Sequence, residues 1–265
     1  MRSKDLYKKI FLIISILSII FLIIKKNKNN TYSTKDKFIK NYKLVWHDEF
    51  NGNNLNLSKW NYRSIGKRKL GYITKNAISV KNGILKIKVY YKNGKIFSGM
   101  ISTQNKFETK YGYFEIKAKI PHVSGPQFAF WLQSPKMGKV INNTFKSGAE
   151  IDIMEYIEKT PNKIYFSIHW NGYKKYAKHY HYSITYPKIN DNNWHTFGLL
   201  WDKHGYKFYI DGKLFHQTKT ALSKTKEYII LSAEFGKWGG KIDIKKLPAF
   251  YEIDYVRVYK KKSDF

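Results

Sequence analysis

A chain of 265 residues has room for one ordinary domain and a short extension, with a core large enough to need no covalent staples. It has no cysteine, which excludes disulfides, a thiol nucleophile and Cys-ligated zinc. The formal net charge of +30 is spread thinly and is nearly all lysine, whereas phosphate recognition recruits arginine, so a solvated lysine-rich surface is expected rather than a nucleic-acid partner.

Residues 1–9 form a basic segment on the expected cytoplasmic side, with Arg2, Lys4, Lys8 and Lys9. The run Ile10 to Ile24 is uncharged and 15 residues long, and Lys25, Lys26 and Lys28 follow it. That length reaches the top of the range for a signal-peptide core and falls short of the ~18–20 residues of a spanning helix. No small-x-small cleavage site follows. The expectation is an N-terminal hydrophobic helix serving as an uncleaved signal anchor, or as a cleaved signal peptide. Either leaves the rest of the chain outside the cytoplasm, membrane-anchored or secreted. Residues 25–40 read as a polar linker.

From 41 to 262 the pattern is short alternating runs. Leu85, Ile87 and Val89 alternate with Lys86 and Lys88, and Phe114, Ile116, Ala118 and Ile120 with Glu115, Lys117 and Lys119. Period-two alternation marks half-buried strands. Asn93-Gly94 and Asp211-Gly212 sit between such runs and suit two-residue hairpin turns with positive φ. No long 3.6-residue period appears after residue 40. The domain is expected to be all-β, a sandwich of two antiparallel sheets.

The chemistry concentrates in Gly148-Ala149-Glu150-Ile151-Asp152-Ile153-Met154-Glu155-Tyr156, with three carboxylates inside six residues of an otherwise apolar strand. Side chains alternate faces, so Glu150 and Asp152 share one, and Glu155 would point to the other. One extra residue near Ile153-Met154, a β-bulge, brings Glu155 back to the shared face. Carboxylates so crowded repel, and at least one keeps its proton. A neutral acid beside an ionised carboxylate is what a retaining glycosidase uses, with the two carboxyls about 5–5.5 Å apart. The competing explanations are a calcium site or a solvated acidic edge; Ile151, Ile153 and Met154 argue for a strand inside a sandwich rather than a coordinating loop.

This segment resembles the signature of glycoside hydrolase family 16, the laminarinase and lichenase group. The similarity extends over about 42–260. It runs through Val45-Trp46-His47-Asp48-Glu49-Phe50-Asn51-Gly52, Tyr111-Gly112-Tyr113-Phe114-Glu115, Trp194-His195-Thr196-Phe197-Gly198 and Ile253-Asp254-Tyr255-Val256-Arg257-Val258-Tyr259. The resemblance implies a β-jelly-roll with a concave cleft and an endo-acting, retaining mechanism. Carried over by position, Glu150 is the nucleophile, Asp152 the assisting carboxylate and Glu155 the acid/base. The longer form of the signature is similar to the laminarinase, agarase and carrageenase branches, which favours a β-1,3- or β-1,3(4)-glucan. No cofactor is implied for catalysis. A structural calcium is implied at Glu49, Asp254 and the Gly83 carbonyl, where a simple structural pairing is the alternative. Many glucanases of the family carry Gly-x-Trp-Pro-Ala-x-Trp; here the run is Gly125-Pro126-Gln127-Phe128-Ala129-Phe130-Trp131, so the first Trp and the Pro are replaced and Trp131 is left to floor a subsite.

Other substrate-binding candidates are His169 and Trp170 on the strand after the signature, Trp238 in a glycine-rich loop, and Tyr72 and Arg63 at the rim. For each, core packing is the competing explanation. His179 and His181 flank Tyr180 and share a face on a strand, but two histidines do not make a metal site. The expected partner is a polysaccharide, met by a monomer tethered through its N-terminal segment. The alternatives to a hydrolase are a transglycosylase remodelling a wall or capsule glycan, and a non-catalytic glycan-binding module.

Overall fold

The computed structural model describes residues 34–265. The hydrophobic run at 10–24, the basic segment before it and most of the expected linker lie outside the described residues. Among those described, no helix is long and apolar enough to cross a membrane.

The alternating runs pair into two sheets of eleven and eight strands. The larger is built on the strand Ala249–Lys261. Along one edge it pairs with Gly112–Lys119; along the other it takes Ile84–Lys92 and then Tyr42–Asp48. The smaller sheet runs Lys178–Thr185, Lys163–Trp170, Glu150–Ile157, Pro126–Gln133, Glu227–Phe235, Met100–Ser102 and Asn61–Tyr62, with Glu108–Thr109 also on Glu227–Phe235. Leu85, Ile87, Phe114 and Ile116 from one sheet, and Phe128, Phe130, Ile151 and Ile153 from the other, are fully buried in one core. Removing such side chains from water supplies roughly 1.5–3 kcal/mol each, and this term drives the two sheets together.

Both hairpins form at the expected dipeptides. Lys92 faces Lys95 across Asn93 (φ 49°) and Gly94 (φ 74°), and Ile210 faces Lys213 across Asp211 (φ 48°) and Gly212 (φ 72°). Two expectations are corrected. The sheets are not wholly antiparallel, because Gly71–Ile73 runs parallel to Lys95–Ser98, beyond the hairpin that precedes it. The folded unit also starts at Lys35, not at 41. A helical turn, Asp36–Ile39, sets Phe38 edge-on to Tyr113 and Tyr42, with ring centroids 5.2 and 5.5 Å away. The last residues of the polar stretch are therefore fastened to the domain by aromatic packing.

Candidate active site

The strand Glu150–Ile157 departs from regular pairing where its carboxylates require it. Against Lys163–Trp170, Asp152 faces Ser167 and Glu155 faces Tyr165, so three steps on one strand match two on the other. Against Pro126–Gln133, Met154 faces Phe130 while Asp152 faces Trp131. One extra residue lies between them on both sides, which is a β-bulge at Ile153-Met154. Ile151, Ile153, Met154 and Tyr156 then turn into the core, and Glu150, Asp152 and Glu155 line a common cleft on the other face.

Each carboxyl has a different set of neighbours. Glu150 Oε2 accepts from the Tyr173 hydroxyl and, at 3.2 Å, from Gln133 Nε2. Gln133 is itself held through Oε1 by Arg63 Nη2 at 2.6 Å and by the Tyr228 hydroxyl. Glu155 Oε1 accepts from Gln127 Nε2 at 2.5 Å, and Glu155 Oε2 from Ser167 Oγ at 2.5 Å. Asp152 is 4% exposed and its Oδ2 makes no hydrogen bond among the described residues; His169 Nε2 stands 3.3 Å away, in ion-pair range but without the alignment of a hydrogen bond.

Burial acts first on all three. It pushes Glu150 up to about 8, with the Asp152 charge adding to the rise. It pushes Asp152 well above the usual carboxylate range, helped by the charges of Glu155 and Glu234. It raises Glu155 as well, against the donors Ser167 and Gln127 and the nearby His169. A carboxyl with donors favours its anion and one without them keeps its proton. Asp152 is therefore the carboxyl that holds its proton most firmly, and once it is neutral the like charge nearest Glu150 is gone.

The cleft has a volume of about 610 Å³. Of the residues expected in it, Trp131, His169, Trp238 and Arg63 line it. Trp131 lies in the floor, its Nε1 donating to Ser232 Oγ at 3.0 Å. Trp238, 38% exposed, stands at the rim with Lys69 Nζ over its ring at 5.6 Å. Two expectations fail. Trp170 packs against the core, because it follows His169 directly and strand alternation turns adjacent side chains to opposite faces. Tyr72 is not among the lining residues; it packs on Phe97 and lies under Lys67 and Lys95. At the expected calcium positions the carboxylates are paired within the chain. Glu49 is held by Arg257 through two bonds of 2.9 and 2.8 Å, and Asp254 by Lys117 at 2.8 Å, so each carboxylate already has a cation of this chain. Gly83 sits in a turn at φ 75°.

Several site residues escaped sequence reasoning. Gln127 stands where many glucanases of the family have the first Trp, and its amide reaches Glu155. Tyr173, Gln133 and Ser167 bond the trio, and Arg68 pairs with Glu234 across the cleft through bonds of 2.7 and 3.1 Å. His179 and His181 do gain a third histidine, since cross-strand register sets His169 against His179 and Ser167 against His181. Ring centroids lie 6.1 Å apart for His169–His179, 5.2 Å for His169–His181 and 4.6 Å for His179–His181. A metal could be held by Glu150, Asp152 and His169, whose ligand atoms lie within 4.8 Å of one another.

Comparison with known proteins agrees with this architecture. The model of glycosyl hydrolases family 16 matches residues 66–257. The chain is 29% identical to glucan endo-1,3-beta-glucosidase A1 of Niallia circulans, over 86% of this chain and 39% of that protein, so it spans well under half of that relative. It is 27% identical to a beta-glucanase of Rhodothermus marinus, over 83% of this chain and 85% of the other. Among solved structures, the laminarinase of Flavobacterium sp. UMI-01 superposes with a TM-score of 0.72 at 28% identity, covering 82% of this chain and all 100% of its own. With the family's model matched over most of the sandwich, and with three carboxyls gathered in one cleft, the chain belongs to glycosyl hydrolases family 16.

Proposed function

We propose that this glycoside hydrolase is endo-acting and retaining, and that it cleaves β-1,3- or β-1,3(4)-linked glucan by double displacement. The observation that carries the mechanism is the bulged strand, with Glu150, Asp152 and Glu155 facing one cleft. Tyr173 and Gln133 occupy Glu150 Oε2, which leaves Oε1 to attack the anomeric carbon. Glu155 gives its proton to the departing glycosidic oxygen, then takes one from the water that attacks the same carbon and frees Glu150. Asp152, protonated, removes the like charge nearest Glu150, which attacks once the proton that burial holds on it has left. Trp131 and Trp238 offer ring faces to the sugars, and Arg63 braces Glu150 through Gln133. The names of the relatives support a glucan as substrate. With the run at 10–24 taken as an export signal or anchor, that glucan lies outside the cytoplasm.

The test is proton NMR of the first reducing ends released from laminarin and from mixed-linkage glucan. The β-anomer appearing first in oligosaccharide products is the expected outcome. The α-anomer first would contradict double displacement. No products from either polymer would contradict the substrate, and longer chains in place of new reducing ends would mark a transglycosylase.

A further inference from the structure

Beyond the three carboxyls, the cleft holds a hydrogen-bonded chain that ends on an exposed histidine of the sheet's edge strand, Lys178–Thr185. Ser167 is 1% exposed, and its Oγ lies 2.5 Å from Glu155 Oε2 and 2.8 Å from His181 Nδ1. We propose that Ser167 and His181 are positioning residues that decide which oxygen of Glu155 carries the transferable proton. The proposal rests on Glu155 being the acid/base.

The argument is a count of protons. A serine hydroxyl can donate once. If it donates to Glu155 Oε2, His181 must carry its hydrogen on Nδ1 and donate to Oγ. Glu155 then holds its acid proton on Oε1, beside Gln127, which lines the cleft. If His181 instead carries its hydrogen on Nε2, Ser167 donates to Nδ1. Oε2 then takes the proton and aims it at Ser167, which is not among the cleft-lining residues. The first arrangement presents the acid to the glycosidic oxygen and the second turns it away. The imidazole tautomer thus selects the productive carboxyl, and no net proton is gained or lost in the exchange.

The surroundings keep this a choice of tautomer rather than of charge. Around Glu155 and His181 stand Glu150 and Asp152 on the signature strand, His169 on the strand of Ser167, His179 on the edge strand, and Glu234 with its partner Arg68 across the cleft. Partial burial of the ring, followed by the charges of His169 and His179, holds His181 below the usual histidine range. It is therefore neutral at pH 7, and only the position of its one ring hydrogen is open.

The experiment measures kcat/KM against pH on a soluble β-glucan and on a dinitrophenyl glycoside of the matching oligosaccharide, whose leaving group departs without a proton. Ser167→Ala and His181→Leu are expected to lose roughly ten-fold or more on the polymer and far less on the activated glycoside. Both remove support from the Glu155 anion, so the alkaline limb moves to higher pH, by roughly one unit for Ser167→Ala and less for His181→Leu. His181→Asn places an amide N–H near the position of Nδ1 and Ser167→Thr keeps the hydroxyl, so both restore the wild-type profile. His181 lies exposed on an edge strand, so its variants keep the question answerable should Ser167→Ala fold poorly. Wild-type rates and pH limbs in the Ala and Leu variants, or equal losses on both substrates, would overturn the proposal. Glu155→Ala separates the two claims: losses of equal size on both substrates in that variant would remove Glu155 as the acid, whatever the positioning variants do.

Discussion

Two acidic sites, one in each sheet, differ in how completely they are bonded. In the larger sheet, Glu115 accepts from Lys35 Nζ at 2.7 Å, from the Tyr113 hydroxyl at 2.7 Å and from the Tyr255 hydroxyl at 3.0 Å. Opposite it stands Gly198, where a Cβ would collide with the Tyr113 hydroxyl, so the strand is shaped around that bonded ring. In the smaller sheet, three carboxyls share a face, one of them has an oxygen without a hydrogen bond, and burial raises all three. A buried carboxylate with all its bonds made ties the structure together, whereas one left partly unbonded is poised to exchange a proton.

Substitutions sharpen that contrast. The largest effect is expected from Glu150→Gln, which removes the nucleophile: kcat falls on the order of 10⁴-fold or more while glycan binding, read by calorimetry, persists. Full activity in this variant would erase the distinction between the two sites. Glu115→Ala should do the opposite. It orphans two tyrosine hydroxyls and an ammonium at a cost of about 3 kcal/mol in denaturant unfolding, with kcat unchanged below the transition.

The stability of Glu150→Gln tests the electrostatics of the site directly. A carboxyl whose folded pKa lies near 8, above its ordinary value of 4.5, leaves the folded state holding a proton that the unfolded chain has lost. Its contribution is therefore favourable below about 4.5 and is lost as pH climbs through about 8. Glu150→Gln should melt higher than wild type at pH 8, by several degrees, and the gap should close toward pH 4.5. A gap that widens on acidification would reverse the sign argued here. The smallest effect belongs to Trp238→Ala, which removes a rim ring and should raise KM about five- to ten-fold with little change in kcat.

Much of this arrangement is legible in the residue order, for definite reasons. Alternation marks the strands because a half-buried strand repeats every two residues. The bulge is legible because a five-residue spacing between Glu150 and Glu155 conflicts with that period. The same parity rule excludes Trp170 from the cleft once His169 faces it. Gln127, Ser167 and Tyr173 were not legible as site residues. They reach the trio from neighbouring strands and a loop, and only cross-strand register places Ser167 beside Asp152 and His181. For the same reason the grouping of His169 with His179 and His181 is invisible in a linear spacing. Lys35 is not legible in the sequence, because a polar stretch gives no sign that one lysine will find a buried glutamate 80 positions away.

The central claim is that Glu150 becomes covalently bonded to the sugar. It is met most directly by incubating the enzyme with an activated 2-deoxy-2-fluoro-glucan oligosaccharide, whose second step is slow, and mapping the adduct by peptide mass spectrometry. A single glycosyl adduct on Glu150 is the predicted result. An adduct on Glu155 or Asp152, or turnover with no adduct on any carboxylate, would contradict it.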